Sequence, residues 1–149
     1  MKQISGNILN IEKGVICHQV NCQGVMGSGL ALQIKNKWSN VYGQYKDCYD
    51  KGFVVLGNAL VVSVDPNIYV ANLCAQNFYG RKHGVIYTDY DALDSCLKSL
   101  ATWHQKFNPD LPVYIPYKMS CGLAGGDWEK VVSIIETYIP EAVVMKLGG

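Results

Sequence analysis

The stretch Ile16-Cys17-His18-Gln19-Val20-Asn21-Cys22-Gln23-Gly24-Val25-Met26-Gly27-Ser28-Gly29-Leu30 changes its pattern twice. The apolar run Val15–Val20 reads as a buried strand. Glycines then interrupt it, and Leu30, Ile34 and Trp38 recur at helical spacing, which predicts a helix from Gly29 to Trp38. Strand, glycine loop and helix form one unit. Such a loop delivers the chain to a helix N-terminus, whose free amides attract anions. Gly24, Gly27 and Gly29 suit close approach of backbone to a phosphate, because glycine tolerates positive φ and carries no Cβ.

Working outward, the same unit recurs near the end of the chain. Val113–Pro116 reads as a strand, Ser120-Cys121-Gly122-Leu123-Ala124-Gly125-Gly126 as a second glycine loop, Asp127–Tyr138 as a helix and Val143–Leu147 as a last buried strand. A first strand is expected at Gln3–Ile8. Ala59–Val64 and Ile68–Leu73 flank the turn-forming Asp65-Pro66-Asn67 and predict a hairpin. After the polar loop Gln76–Thr88, Asp89 can cap a helix running to Phe107, with Leu93, Leu97 and Leu100 on its apolar stripe and Asn108-Pro109 as its stop. Strands alternating with helices predict an α/β fold, a three-layer α/β/α sandwich around a mixed, largely parallel sheet. Residues 1–149 are expected to form a single domain.

Composition narrows the classes of function. Thirteen basic and 12 acidic residues are interleaved to a net charge of +1, so no polybasic arm is available for nucleic acid, and sequence-specific nucleic-acid binding is not expected. No run reaches the roughly 18 apolar residues of a membrane span. The segment Met1–Gly6 lacks the apolar core of a signal peptide, and a soluble, cytoplasmic protein is expected. Six cysteines without paired spacing suit reduced thiols, and Cys17-His18 followed by Cys22 is poorly spaced for zinc. Neither a metal nor a cofactor is expected.

Neither loop is a P-loop, since no Gly-Lys-Ser/Thr follows, and neither has the Gly-x-Gly-x-x-Gly spacing of dinucleotide-binding folds. Two facing amide-lined loops suit a diphosphate. With Gly6-Asn7-Ile8, the strand ending in Asn21-Cys22 and the run from Ile115-Pro116 through Asp127-Trp128-Glu129, nearly the whole chain resembles the macrodomain family. The forms Gly-Ser-Gly-Leu-Ala and Cys-Gly-Leu-Ala-Gly-Gly-Asp-Trp look most like its branch of glutamate-linked ADP-ribose hydrolases and ADP-ribose 1″-phosphate phosphatases. The resemblance implies ADP-ribose or ADP-ribose 1″-phosphate as ligand, with ADP-ribosylated macromolecules as further partners. It places Asn7 and Ile8 at the adenine, Asn21 at the distal ribose, with capping of the loop backbone as the alternative, and Gly27, Ser28 and Gly29 at the distal phosphate and ribose, with Gly24 as a further ligand-binding residue of that loop. Ser120, Cys121, Gly122, Leu123, Ala124 and Gly125 enclose the diphosphate from the other side.

The glutamate-directed members are assigned a lysine from the strand after the hairpin turn and an aspartate in the second loop. Ile68–Tyr79 contains no lysine, and Ala124 stands at the aspartate's place, so lysine chemistry is not expected. The phosphatases resemble this chain in carrying a histidine three residues before the strand-end asparagine, here His18, and an acidic residue at the start of the central helix, Asp89 or Asp91. In the expected chemistry, His18 protonates the leaving ribose oxygen while the carboxylate orients water. The alternative for His18 is a core histidine bonded to a backbone carbonyl. Arg81, Lys82 and His83 form a basic loop that either approaches the phosphate end or is merely solvated, and Phe78 and Tyr79 are candidates for stacking. The expected function is hydrolysis of ADP-ribose 1″-phosphate. A non-catalytic reader of ADP-ribose, or lysine-independent removal of ADP-ribose from protein or nucleic acid, stands as the alternative.

Overall fold

A computed structural model describes residues 1–80, 82 and 84–148. Its sheet has six strands in the order β1 (Lys2–Ser5), β6 (Val143–Lys146), β5 (Val113–Pro116), β2 (Gly14–Asn21), β4 (Ile68–Gln76) and β3 (Ala59–Asp65). Every pairing is parallel except the β3–β4 hairpin. β2 lies near the middle, covered on both faces, which is why seven of its eight residues are buried and why its sequence is a continuous rather than alternating apolar run.

The two faces carry separate cores. Val15 and Cys17 of β2 pack with Leu93, Leu97 and Leu100 of α3 (Tyr90–Phe107) and with Val131 and Ile135 of α4 (Trp128–Tyr138). Ile16 and Val20 pack with Ile34 of α1 (Gly29–Lys37) and with Val41 and Tyr45 of α2 (Ser39–Asp50). Helix pairs on either side of one sheet make the expected three layers. Asp89 and Asp127 are the side-chain caps of α3 and α4, accepting from the Ala92 and Glu129 amides at 2.9 and 3.0 Å.

Three expectations shift. The first strand stops at Ser5, because Gly6 turns with φ +153° and Asn7 caps a short 3-10 helix, Ile8–Asn10. β4 runs three residues past Leu73, to Gln76. Helix α2 had no counterpart in the sequence reading, and it begins immediately after Trp38 breaks α1. Among the described residues no helix is long and apolar enough to cross a membrane.

Connectivity locates the site. Adjacent parallel strands β2 and β5 send their chains to opposite faces, to α1 and α4 respectively, so a crevice opens between the two loops at the carboxyl ends of the strands.

Candidate functional site

A cavity of about 380 Å³ occupies that crevice, lined by Asn21, Gly27, Ser28 and Gly29 on one side and by Ser120, Gly122, Leu123 and Ala124 on the other, with His18 also in its wall. A second lobe of about 380 Å³ is lined by Asn7, Ile8, Gln33, Met145 and Lys146. Gly29, Leu30, Pro116 and Tyr117 border both lobes, so the two adjoin at the N-terminus of α1. Ser28 is the N-cap of α1 but makes no side-chain cap bond, which leaves its hydroxyl to a ligand beside the free amides of the first turn. Asn7 has already committed its Oδ1 to the Leu9 amide at 3.0 Å.

The glycines divide by what surrounds them. A Cβ at Gly29 or Gly122 would meet nothing within 4 Å, so these positions face open cavity. Gly24, Cys121 and Gly125 do not line it. A Cβ at Gly24 would strike the Tyr49 ring at 2.8 Å, and one at Gly125 the Val85 carbonyl at 2.9 Å, so both glycines serve turns and packing rather than ligand contact. The Cys121 thiol accordingly turns to the Met119 carbonyl at 3.3 Å, and burial followed by the neighbouring Asp127 raises its pKa. At Gly126 a Cβ would lie 2.4 Å from the Ser120 carbonyl oxygen. Gly126→Ala is therefore expected to cost about 1–3 kcal/mol of stability by overpacking, measured as a lower urea midpoint; an unchanged midpoint would show that the loop relaxes freely.

Asn21 makes loop-capping bonds. Its Oδ1 accepts from the Gln23 and Val25 amides at 3.0 and 3.4 Å and lies 2.9 Å from the Tyr45 hydroxyl, while its Nδ2 donates to the Val25 carbonyl at 2.8 Å. The side chain is thus chiefly a clamp on the first glycine loop, with one Nδ2–H left over. Tyr45, fully buried on α2, completes the clamp by accepting from the Gly24 amide at 3.1 Å, and Tyr42 donates to the Gly24 carbonyl at 3.2 Å.

The second loop is tethered by Gln19 and Thr88, which the sequence reading did not single out. Ser120 holds φ +72°, an unfavourable region for a residue with a side chain. Its hydroxyl donates to Gln19 Oε1 at 2.5 Å, and its carbonyl accepts from Thr88 Oγ1 at 2.7 Å and the Gly126 amide at 2.8 Å. Gln19 in turn donates to Thr88 Oγ1 and Gln76 Oε1, each at 2.9 Å. Ala124 accepts from the Tyr87 and Thr88 amides. A glutamine inside the mostly apolar strand β2 was the available signal for this network; its partners lie 57 to 101 residues away in sequence.

His18 is 2% exposed, with Nε2 2.6 Å from Asn72 Oδ1 rather than bonded to a backbone carbonyl. Burial pushes its pKa down to about 4, against a smaller upward effect of the Asn72 bond. At neutral pH the ring is uncharged, so the expected proton donor is not in its acid form. The expected carboxylate partner is also missing from the wall: Asp89 caps α3, Asp91 is exposed on its first turn, and neither lines the cavity. Phe78 and Tyr79 are exposed, and Tyr79 borders the cavity. Of the basic loop, Lys82 is exposed, whereas Arg81 and His83 lie outside the described residues.

No family model matches the chain. It is 29% identical over 85% of its length to the DNA ADP-ribosyl glycohydrolase of Mycobacterium tuberculosis, of whose length it spans only 35%. It is 31% identical to the ADP-ribose 1″-phosphate phosphatase of Scheffersomyces stipitis, covering 83% of both chains. Its fold matches the macrodomain of M. tuberculosis DarG with a TM-score of 0.80 at 22% identity, over 99% of this chain and 97% of that one. Relatedness to the yeast phosphatase along most of both chains, joined to this shared architecture, makes the chain a member of the macrodomain family.

Proposed function

We propose that this chain binds ADP-ribose in the two-lobed cavity and hydrolyses a derivative of it, with the 1″-phosphate monoester as its substrate. The observation that carries the reading is the pair of amide-lined loops, leaving neighbouring strands toward opposite faces and walling one lobe of about 380 Å³, with a second lobe of about 380 Å³ adjoining it at Gly29 and Leu30. Adenosine fits the lobe at Asn7 and Ile8, the diphosphate crosses the N-terminus of α1, and the distal ribose with its phosphate enters the lobe walled by His18, Ser28 and Gly122. The Ser28 hydroxyl and the amides of both loops offset negative charge there without a countercation.

The relation to a phosphatase over 83% of both chains favours the monoester. The glycohydrolase relation covers 35% of that protein, and β4 of this chain lacks the lysine associated with deacylating members. In the reaction water attacks phosphorus, the phosphorus–ribose oxygen bond breaks, and the ribose oxygen leaves with a proton. Calorimetric titration with ADP-ribose, followed by phosphate release from ADP-ribose 1″-phosphate, tests the reading. Binding with release is the expected result. Binding without release would make the protein a reader, release of ADP-ribose from a modified oligonucleotide would make it a glycohydrolase, and no binding at all would remove the ligand assignment.

A further inference from the structure

Among the described residues, His18 Nδ1 is the buried side-chain nitrogen or oxygen that has no hydrogen-bond partner. Such an atom costs free energy unless something outside the protein pairs with it. Its protonation state follows from the neighbours of Asn72. The Leu60 carbonyl can only accept, so the Asn72 side-chain atom 2.9 Å from it is the nitrogen. The other end of that amide, Oδ1, can also only accept, so the His18 nitrogen 2.6 Å away must be the donor. A neutral ring with its proton on Nε2 carries a lone pair on Nδ1.

We propose that Asn72 is a positioning residue, holding His18 in the Nε2–H tautomer so that Nδ1 accepts a hydrogen bond from water or a ligand hydroxyl in the cavity. This assigns His18 the role of acceptor instead of acid. Where the phosphatase reading holds, on which this step rests, Nδ1 takes the proton of the attacking water while its oxygen bonds to phosphorus; the same proton then passes to the departing ribose oxygen, which restores the neutral ring. Asn72 is fully buried on β4, directly opposite His18 in the register of β2 and β4, so neighbouring backbones fix the distance between the pair. The titratable side chains among the apolar residues of this core layer are Tyr42, Tyr45 and Cys48 of α2, Cys74 of β4, Tyr114 of β5 and Cys22 after β2. All are phenols or thiols.

The test is nitrogen-15 NMR of the His18 ring, assigned by signals lost in His18→Phe, on the free protein and on protein saturated with ADP-ribose. Expected is a protonated Nε2 and a lone-pair Nδ1 signal that moves on saturation. A proton on Nδ1, or an Nδ1 signal indifferent to bound ligand, would overturn the proposal, whether or not phosphate is released. If ADP-ribose binds, Nδ1 responds and no phosphate appears, the acceptor role stands and only the phosphatase reading falls. With turnover, Asn72→Leu should lower kcat roughly tenfold or more with KM little changed and move the acid limb of the pH profile downward. Asn72→Asp should move that limb upward, since a carboxylate beside Nε2 favours the charged ring. Equal losses at every pH in both variants would show a merely structural Asn72, and if neither variant folds the wild-type ring signals decide.

Discussion

Gly122→Val is expected to weaken ADP-ribose binding about 100-fold or more, close to 2.7 kcal/mol, while leaving thermal stability nearly unchanged. A Cβ at Gly122 meets nothing within 4 Å, and its backbone does not occupy the left-handed region, so a side chain starts into open space without backbone strain. Its bulk instead enters the lobe where the second loop must approach the diphosphate. Isothermal titration of the variant beside its melting curve checks this. Unchanged affinity would place the ligand elsewhere, whereas lost affinity with a lowered melting temperature would mean that Gly122 is a packing glycine like Gly126.

The second large effect is on acid stability. Burial holds the His18 pKa at about 4 in the folded protein against an unperturbed 6.5, so the unfolded chain binds more protons between these values. The contribution of the neutral ring is complete above about pH 6.5 and is lost as pH falls through the folded value. The difference between 6.5 and about 4 corresponds to about 3 kcal/mol. Urea midpoints taken from pH 7 down to pH 4 should fall steeply in the wild type. His18→Gln, whose amide can still donate to Asn72 but does not titrate, should show a shallower fall. Parallel pH profiles for the two proteins would mean that His18 does not bury a neutral ring.

These expectations rest on side chains that the sequence reveals unevenly. Helix α3 was readable end to end because Leu93, Leu97 and Leu100 repeat on one face between an aspartate cap and an Asn-Pro stop. Helix α2 was not, because its sequence is mostly polar and only Val41 and Tyr45 are buried, too few to mark a stripe. That omission concealed Tyr45 and with it half of the clamp around Asn21. Asn21 was assigned to the distal ribose with capping of the loop backbone as the alternative, and its bonds in the structure are of the capping kind. A strand-end asparagine looks the same in sequence whether its amide meets a sugar or its own loop.

The catalytic candidates show the same division. His18 was found by position, yet its charge, tautomer and partner depend on Asn72, 54 residues away, and on the depth of burial. Asp89 was read correctly as a helix cap, and the fold keeps it out of the cavity wall.

What the sequence determined by itself is the layered α/β order and the two strand–glycine–helix units, because hydrophobic period and glycine placement act between residues close along the chain. Tertiary structure alone decided which glycines face the cavity, which polar groups hold the loops and which ring nitrogen is left with a lone pair. Those properties arise where strands distant in sequence come side by side and exclude water, so that hydrogen bonding and desolvation act between residues no local pattern connects.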